Sequence, residues 1–453
     1  MLEKDSLKIL QQALERLDGG FQSLPANPGA AGDLSRISQV LAETADRLQQ
    51  NYPYFHPLYA GQMLKPPHPV ARLAYALAQW INPNNHALDG GRASSAMEKE
   101  AVAEIARMFG WTEYLGHLTS GGTMANLEAL WIAGQLAPRK TILASEQAHY
   151  THQRICGVLQ LKFESVPCDN RARMDMEALT KRLSRGDVGA VVATMGTTAT
   201  GSVDPLAEIL RLREHYGFRV HCDAAYGGYF ILAGNLAQET ASAFAGITEA
   251  DSMVIDPHKH GLQPYGCGCV LFRDPAVGRF YKHDSPYTYF SSKELHLGEI
   301  SLECSRPGAA AVALWATQKL LPLEKNGEFA ASLEDCRMAA LDFHQRLAAD
   351  TRFIPGFHPE LDIVVFAPAA PRLSDSSALS RRIFDVAASR QLHLAVAELA
   401  VRFLHGRDSQ RYADKTTVTC LRSVLMKPEH RQWLDGIWNL LSEATNEALQ
   451  NQG

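Results

Sequence analysis

After residue 109, short apolar runs alternate with helical stretches, and this alternation leaves few folds open to the chain. Strand-like runs are expected at 141–144, 190–194, 219–222, 252–255 and 269–272. Helical patterns fall between several of them, at 176–183 and 206–216, and a helix at 124–135 follows a glycine turn. A strand that returns to its sheet through a helix lies parallel to its predecessor, and helices come to cover both sheet faces. The expected class is therefore α/β, with a mostly parallel sheet flanked by helices. In such open sheets ligands sit beyond the carboxyl ends of the strands.

The flanks differ in character. Residues 1–50 read as two helices around a Pro/Gly-bearing break, followed by the segment from Asn51 to Pro57, whose prolines rule out helix. Helices are expected at 69–80 and 94–109. After about residue 310 come helices at 308–320 and 329–349, strands at 363–366 and 417–421, and a final helix at 429–449. A length of 453 residues exceeds one compact core. The expected division is an N-terminal helical segment (1–80), a large cofactor-binding domain (81–325) and a smaller α+β C-terminal domain (326–453).

Composition narrows the partners. A net charge of −5 argues against a nucleic-acid or anionic-membrane surface as the main partner. The N-terminus has no apolar signal core, and no run nears the eighteen or so apolar residues of a membrane span. The eight cysteines form no CxxC pair, which fits a reducing cytoplasm better than a disulfide framework or a zinc site.

Five places near strand ends carry chemistry. The stretch from Thr119 to Asn126 (TSGGTMAN) opens a helix, where glycines, hydroxyls and free backbone N–H groups favour an anion. His149 ends SEQAH and is placed to lie on a ring or handle protons. Thr197 and Thr198 follow the 190–194 run and offer hydroxyls to a ring oxygen or a carboxylate. Asp223, in HCDAAYGG, ends a buried strand and needs a partner, for which a protonated pyridine nitrogen is suited. Lys259, in DPHKHG, is an amine in the same crevice. Each alone is as easily a turn, a cap or a surface charge. Together they supply a phosphate cradle, a stacking ring, an acid for a ring nitrogen and an amine for an aldehyde, which is what pyridoxal 5′-phosphate (PLP) requires.

Through these motifs the chain resembles the group II PLP-dependent decarboxylases, fold-type-I PLP enzymes that include aromatic-amino-acid, glutamate, histidine and tyrosine decarboxylases. The resemblance spans roughly residues 50–325, and more thinly the stretch from Thr419 to Met426. It implies a homodimer with active sites at the subunit interface, an N-terminal segment wrapping the partner, and a small-molecule amino acid as substrate. Lys259 would be the Schiff-base lysine, Asp223 the partner of the pyridinium nitrogen, and His149 the stacking residue. Gly122, Thr123 and His258 would hold the phosphate, and Thr198 would sit near the ring oxygen or the substrate carboxylate. Tyr287 and Tyr289 both fall in the family's mobile loop, where a tyrosine protonates the substrate carbon after CO₂ leaves.

Some segments depart from the family. The pocket stretch reads LYAGQMLK from Leu58 to Lys65 instead of an aromatic-rich segment, leaving Gln62 and Met63 as candidates to meet a substrate, with Lys65 and His68 as further charges nearby. HALDGGR ends in Arg92, either a surface residue or a bidentate contact for a carboxylate. CSRPG, around Arg306, is more like the archaeal tyrosine/aspartate decarboxylases and the sphingosine-phosphate lyases. Arg306 is thus either an anion ligand or a salt bridge fixing the helix that follows. The expected reaction is decarboxylation of an L-amino acid. The rivals are transamination, aldehyde synthesis or C–C lysis on the same scaffold, and a non-catalytic binding protein.

Overall fold

The computed structural model describes residues 4–25, 32–86, 90–282, 297–405 and 414–450. Its centre is a seven-stranded sheet made of β1 (Leu115–Thr119), β2 (Thr141–Ser145), β3 (Lys162–Val166), β4 (Val188–Thr194), β5 (Arg219–Asp223), β6 (Ser252–Ile255) and β7 (Gly268–Phe272), in the order β1-β7-β6-β5-β4-β2-β3. The pairs β3/β2, β2/β4, β4/β5 and β5/β6 are parallel, whereas β7 runs antiparallel to both β6 and β1. Strands β2, β4, β6 and β7 are buried along their whole length. That is why they read as unbroken apolar runs with no alternation.

Helices α1 (Lys4–Gly19), α2 (Leu34–Leu48), α3 (Pro69–Gln79) and α4 (Arg92–Met108) precede the sheet. Helices α5 (Gly122–Leu136), α6 (Thr151–Val158), α7 (Met176–Leu183), α8 (Leu206–Tyr216) and α9 (Gln238–Ala245) connect its strands. Helix α10 (Gly308–Leu320) packs on α3 and α4, while α5 packs across β4 to β7. The order reverses between β2 and β4: the chain winds outward to β3, returns over β2, and then proceeds through β4, β5 and β6. Such a reversal opens a crevice at the carboxyl ends of the strands.

A smaller unit follows, with α11 (Glu328–Ala349), β8 (Phe353–Pro355), β9 (Ile363–Pro368), α12 (Leu373–Ser389), β10 (Ala395–Ala400), β11 (Thr417–Val424) and α13 (His430–Gln450). Its antiparallel sheet, ordered β10-β11-β9-β8, packs Phe343, Phe366, Leu421, Ile437 and Leu441 into one core. Residues 58–61 are stitched into this unit. Ala60 N–H donates to His393 O at 2.9 Å, Val424 N–H donates to Ala60 O at 2.6 Å, and Ala60 is buried in the same core. Among the described residues no helix is long and apolar enough to cross a membrane.

The α/β class and the mostly parallel sheet are as expected. The unanticipated strands have weak signals. β1 (LGHLT) carries a glycine and a histidine, and His117 is accommodated by a 2.9 Å contact with Glu128, both fully buried, and a 2.8 Å contact with Leu118 O. β3 (KFESV) is an edge strand whose exposed Lys162, Glu164 and Ser165 look like loop.

Candidate active site

Four loops at the carboxyl ends of β2, β4, β5 and β6, with the start of α5, enclose a cavity of about 350 Å³. Its lining includes Gly122, Thr123, His149, Thr198, Asp223, His258 and Lys259, together with Asn126, Thr194, Tyr226 and Asp256.

The start of α5 is shaped by close approach. Gly121 has φ +151°, a conformation that favours glycine. A Cβ on Gly122 would stand 2.6 Å from Asp256 Oδ2, and one on Gly268 would stand 2.6 Å from the backbone of Gly121. The first backbone N–H groups of this 15-residue helix therefore open onto the cavity with the positive end of its dipole.

His149 sits after β2. Thr151 N–H donates to its Nδ1 at 3.3 Å and the Thr151 hydroxyl lies 2.8 Å away, so the proton of the neutral ring belongs on Nε2. Burial holds its pKa below the ordinary value, with Asp223 opposing and Lys259 adding to that shift.

Asp223 closes β5 and is 5% exposed. Oδ2 accepts from His152 Nε2 at 2.8 Å and from Asn126 Nδ2 at 3.4 Å, and Oδ1 accepts from Ala225 N–H at 3.2 Å. Burial pushes its pKa up, but the His152 hydrogen bond and the charges of His152, Lys259 and His221 outweigh that and hold it well below the carboxylate range.

Lys259 Nζ lies 3.1 Å from Asp256 Oδ2, and His258 Nε2 lies 3.6 Å from the same oxygen. His258 Nδ1–H donates to Cys267 O at 2.8 Å, and its ring lies against Tyr265 with centroids 4.8 Å apart. Asp256 Oδ1 and Thr194 Oγ1 are buried with no hydrogen-bond partner among the described residues. The cavity thus combines a helix N-terminus, an ionised carboxylate, an amine and unspent polar atoms. This donor set fits a cofactor carrying a phosphate, a basic ring nitrogen and an aldehyde.

Other expected residues lie elsewhere. The Thr197 hydroxyl turns away from the cavity, 2.8 Å from Thr200 Oγ1. Gln62 is exposed, and its Oε1 accepts from Arg422 Nη1 at 3.2 Å. Arg92 is the exposed first residue of α4. Arg306 is buried, with Nη1 2.7 Å from Glu98 Oε1 and 2.5 Å from Leu118 O. The salt-bridge alternative therefore holds for Arg306, whose charge is already neutralised. Among the described residues that line the cavity, none of Gln62, Arg92 and Arg306 appears. Lys65 Nζ donates to Met426 O at 3.2 Å, and His68 Nδ1 accepts from Val70 N–H at the start of α3. Tyr287 and Tyr289 lie outside the described residues.

Sequence reasoning passed over Asp256, Asn126 and His152, although all three stand in or beside the quoted motifs. It also passed over Arg422, which is buried and donates to Gly61 O, Thr198 O and Ala199 O, tying the loop after β4 to residues 58–61.

A model of the pyridoxal-dependent decarboxylase conserved domain matches residues 124–368, more than half of the chain. The chain belongs to the pyridoxal-dependent decarboxylase family. The L-tyrosine decarboxylase of Enterococcus faecium is 27% identical over 91% of this chain and 88% of its own length. A probable L-tyrosine/L-aspartate decarboxylase of Methanothermobacter thermautotrophicus is 28% identical over 68% of this chain and 82% of its own. The crystal structure of Oryza sativa TDC with PLP and tryptamine superposes with a TM-score of 0.79 over 98% of this chain and 99% of that one, at 17% identity, a likeness of fold. This decarboxylase is therefore a PLP-dependent carboxy-lyase acting on an amino acid.

Proposed function

We propose that Lys259 is the residue that carries PLP covalently, that Asp223 pairs with the protonated ring nitrogen, and that His149 lies against the ring. Gly122, Thr123 and His258 hold the phosphate at the start of α5, and Thr198 stands near the ring oxygen or the substrate carboxylate. The observation that supports these assignments is the convergence of all seven side chains and backbones, from five separate chain segments, on one cavity. Bound there, PLP supplies the electron sink for the bonding pair left when CO₂ departs. The protein's part is to keep Asp223 ionised against burial, to free the Lys259 amine and to exclude water from the reacting carbon.

Borohydride reduction of the PLP-loaded protein followed by peptide mass spectrometry tests this directly. A reduced adduct on Lys259 is expected, and an adduct on any other lysine would overturn the assignment. Tyrosine and aspartate, for which the relatives are named, with 2,4-diaminobutyrate, form the first substrate panel. The expected product is the amine lighter than its parent by one CO₂.

The working enzyme is, in this reading, a homodimer in the cytoplasm. Support for the dimer comes from α2, which buries none of its residues and exposes Leu34, Ile37, Val40, Leu41 and Leu48. A 15-residue helix gains little stability by itself, so a lone apolar stripe of this size calls for a partner surface. Support for a reducing compartment comes from the eight cysteines, all free and all but Cys304 buried. Sedimentation should give the dimer mass, and the Val40→Asp, Leu41→Asp double variant should shift it toward monomer. A monomeric wild type would overturn the dimer.

A further inference from the structure

Behind Asp223 lies a line of buried polar groups, starting at Ser252 on β6 and ending at His152 on α6. His221 Nδ1 lies 2.9 Å from Ser252 Oγ, and His221 Nε2 lies 2.8 Å from Asn126 Oδ1. Asn126 Nδ2 reaches Asp223 Oδ2, and His152 Nε2 meets the same oxygen from the other side. All five residues are at most 5% exposed.

The hydrogen positions follow from the acceptors. Asn126 must present its NH₂ to the carboxylate, so its Oδ1 accepts, and His221 Nε2 must carry a proton. Burial pushes the His221 pKa down to about 3, so that ring is neutral and its Nδ1 accepts from the Ser252 hydroxyl. His152 Nε2 must likewise donate, because an ionised Asp223 has no proton and can only accept. Every donor on this line points toward Asp223. The other titratable groups beside it are Lys259 and His149 at the cavity.

A carboxylate and a ring nitrogen that share a proton leave it on the more basic partner. Each hydrogen bond donated to the carboxylate lowers its basicity and moves the proton toward the nitrogen. The Asn126 contact is long at 3.4 Å, so the 2.8 Å donation from His152 is the strong one. His152 does not line the cavity and so acts through Asp223. We infer that His152 is a positioning residue that holds Asp223 as a weakly basic carboxylate, so that the ring nitrogen of PLP, and not Asp223, carries the shared proton. This rests on the assignment of Asp223 to that nitrogen.

The test reads the proton itself. Holoenzyme loaded with PLP labelled with ¹⁵N at the ring nitrogen should show the protonated-pyridine shift in wild type and move toward the neutral-pyridine shift in His152→Leu. His152→Gln, which restores an N–H near the position of Nε2, should keep the protonated shift. A protonated shift in His152→Leu, or a neutral one in His152→Gln, would overturn the role of His152. A neutral shift in wild type would instead remove the Asp223 assignment. Should His152→Leu fail to retain PLP, the apoproteins give a second readout by ¹³C-carboxyl titration. Asp223 should titrate below the usual carboxylate range in wild type and His152→Gln and rise in His152→Leu, and an unchanged titration would overturn the inference.

Discussion

The two ends of the cavity are built differently. At the β5 end both oxygens of Asp223 accept from donors that are in place before any ligand arrives, and one of these, Asn126, is fixed in turn by buried His221. At the α5 end the backbone is tight but polar capacity is left over: Asp256 Oδ1 has no partner among the described residues, and Lys259 is held by one carboxylate oxygen. The difference separates two tasks. A charge that must persist through the reaction needs a rigid, satisfied environment. A group that must form and break a bond to its ligand needs an environment the ligand completes.

The sharpest way to break this contrast is at the lysine. Lys259→Ala should lower turnover by about 10³-fold or more, the scale of losing a covalent catalytic group, while leaving the Asp223 end folded. Steady-state kinetics beside a thermal melt would check both halves. Asp223→Asn keeps the shape of the satisfied end and removes its charge. It should cost on the order of 10²- to 10³-fold in kcat, as losing one preorganised electrostatic contact does, and activity near wild type would show that the ionised carboxylate is not what this end provides.

Gly122→Ala probes the other end by sterics alone. Its Cβ would stand 2.6 Å from Asp256 Oδ2 and 3.0 Å from Oδ1, so either the helix start or the lysine's partner must move. PLP should bind about tenfold more weakly, equivalent to about 1.4 kcal/mol. A fluorescence titration with unchanged affinity would mean the cradle is looser than its packing indicates.

The smallest effect concerns pH. His221 has a folded pKa of about 3 against an ordinary 6.5. Above 6.5 it is neutral in both states, and between 6.5 and 3 the unfolded chain binds the extra proton, so stability declines as pH falls through that window. His221→Gln should flatten the dependence of the melting midpoint on pH there. An equally steep decline would place the acid sensitivity elsewhere.

Much of the site could be read from the chain. Polar motifs that directly follow apolar runs had to fall at strand ends, and His149, Asp223 and Lys259 do. Weak local patterns hid other parts. β1 resembles a turn because its histidine is satisfied by Glu128, eleven residues on, and β3 resembles a loop because it is an edge. Neither signal is local.

The sequence by itself determined the α/β class, the cofactor and which segments meet at the crevice, because period and strand-end position are properties of neighbouring residues. The tertiary structure decided which polar side chain faces which. His152 rather than His149 backs Asp223, Arg306 belongs to Glu98, and Arg422 spends its donors on the backbone of distant loops. The physical reason is that a buried polar group takes its partner from whatever packing brings within about 3 Å. For Arg306 and Arg422 that partner lies some two hundred residues away along the chain.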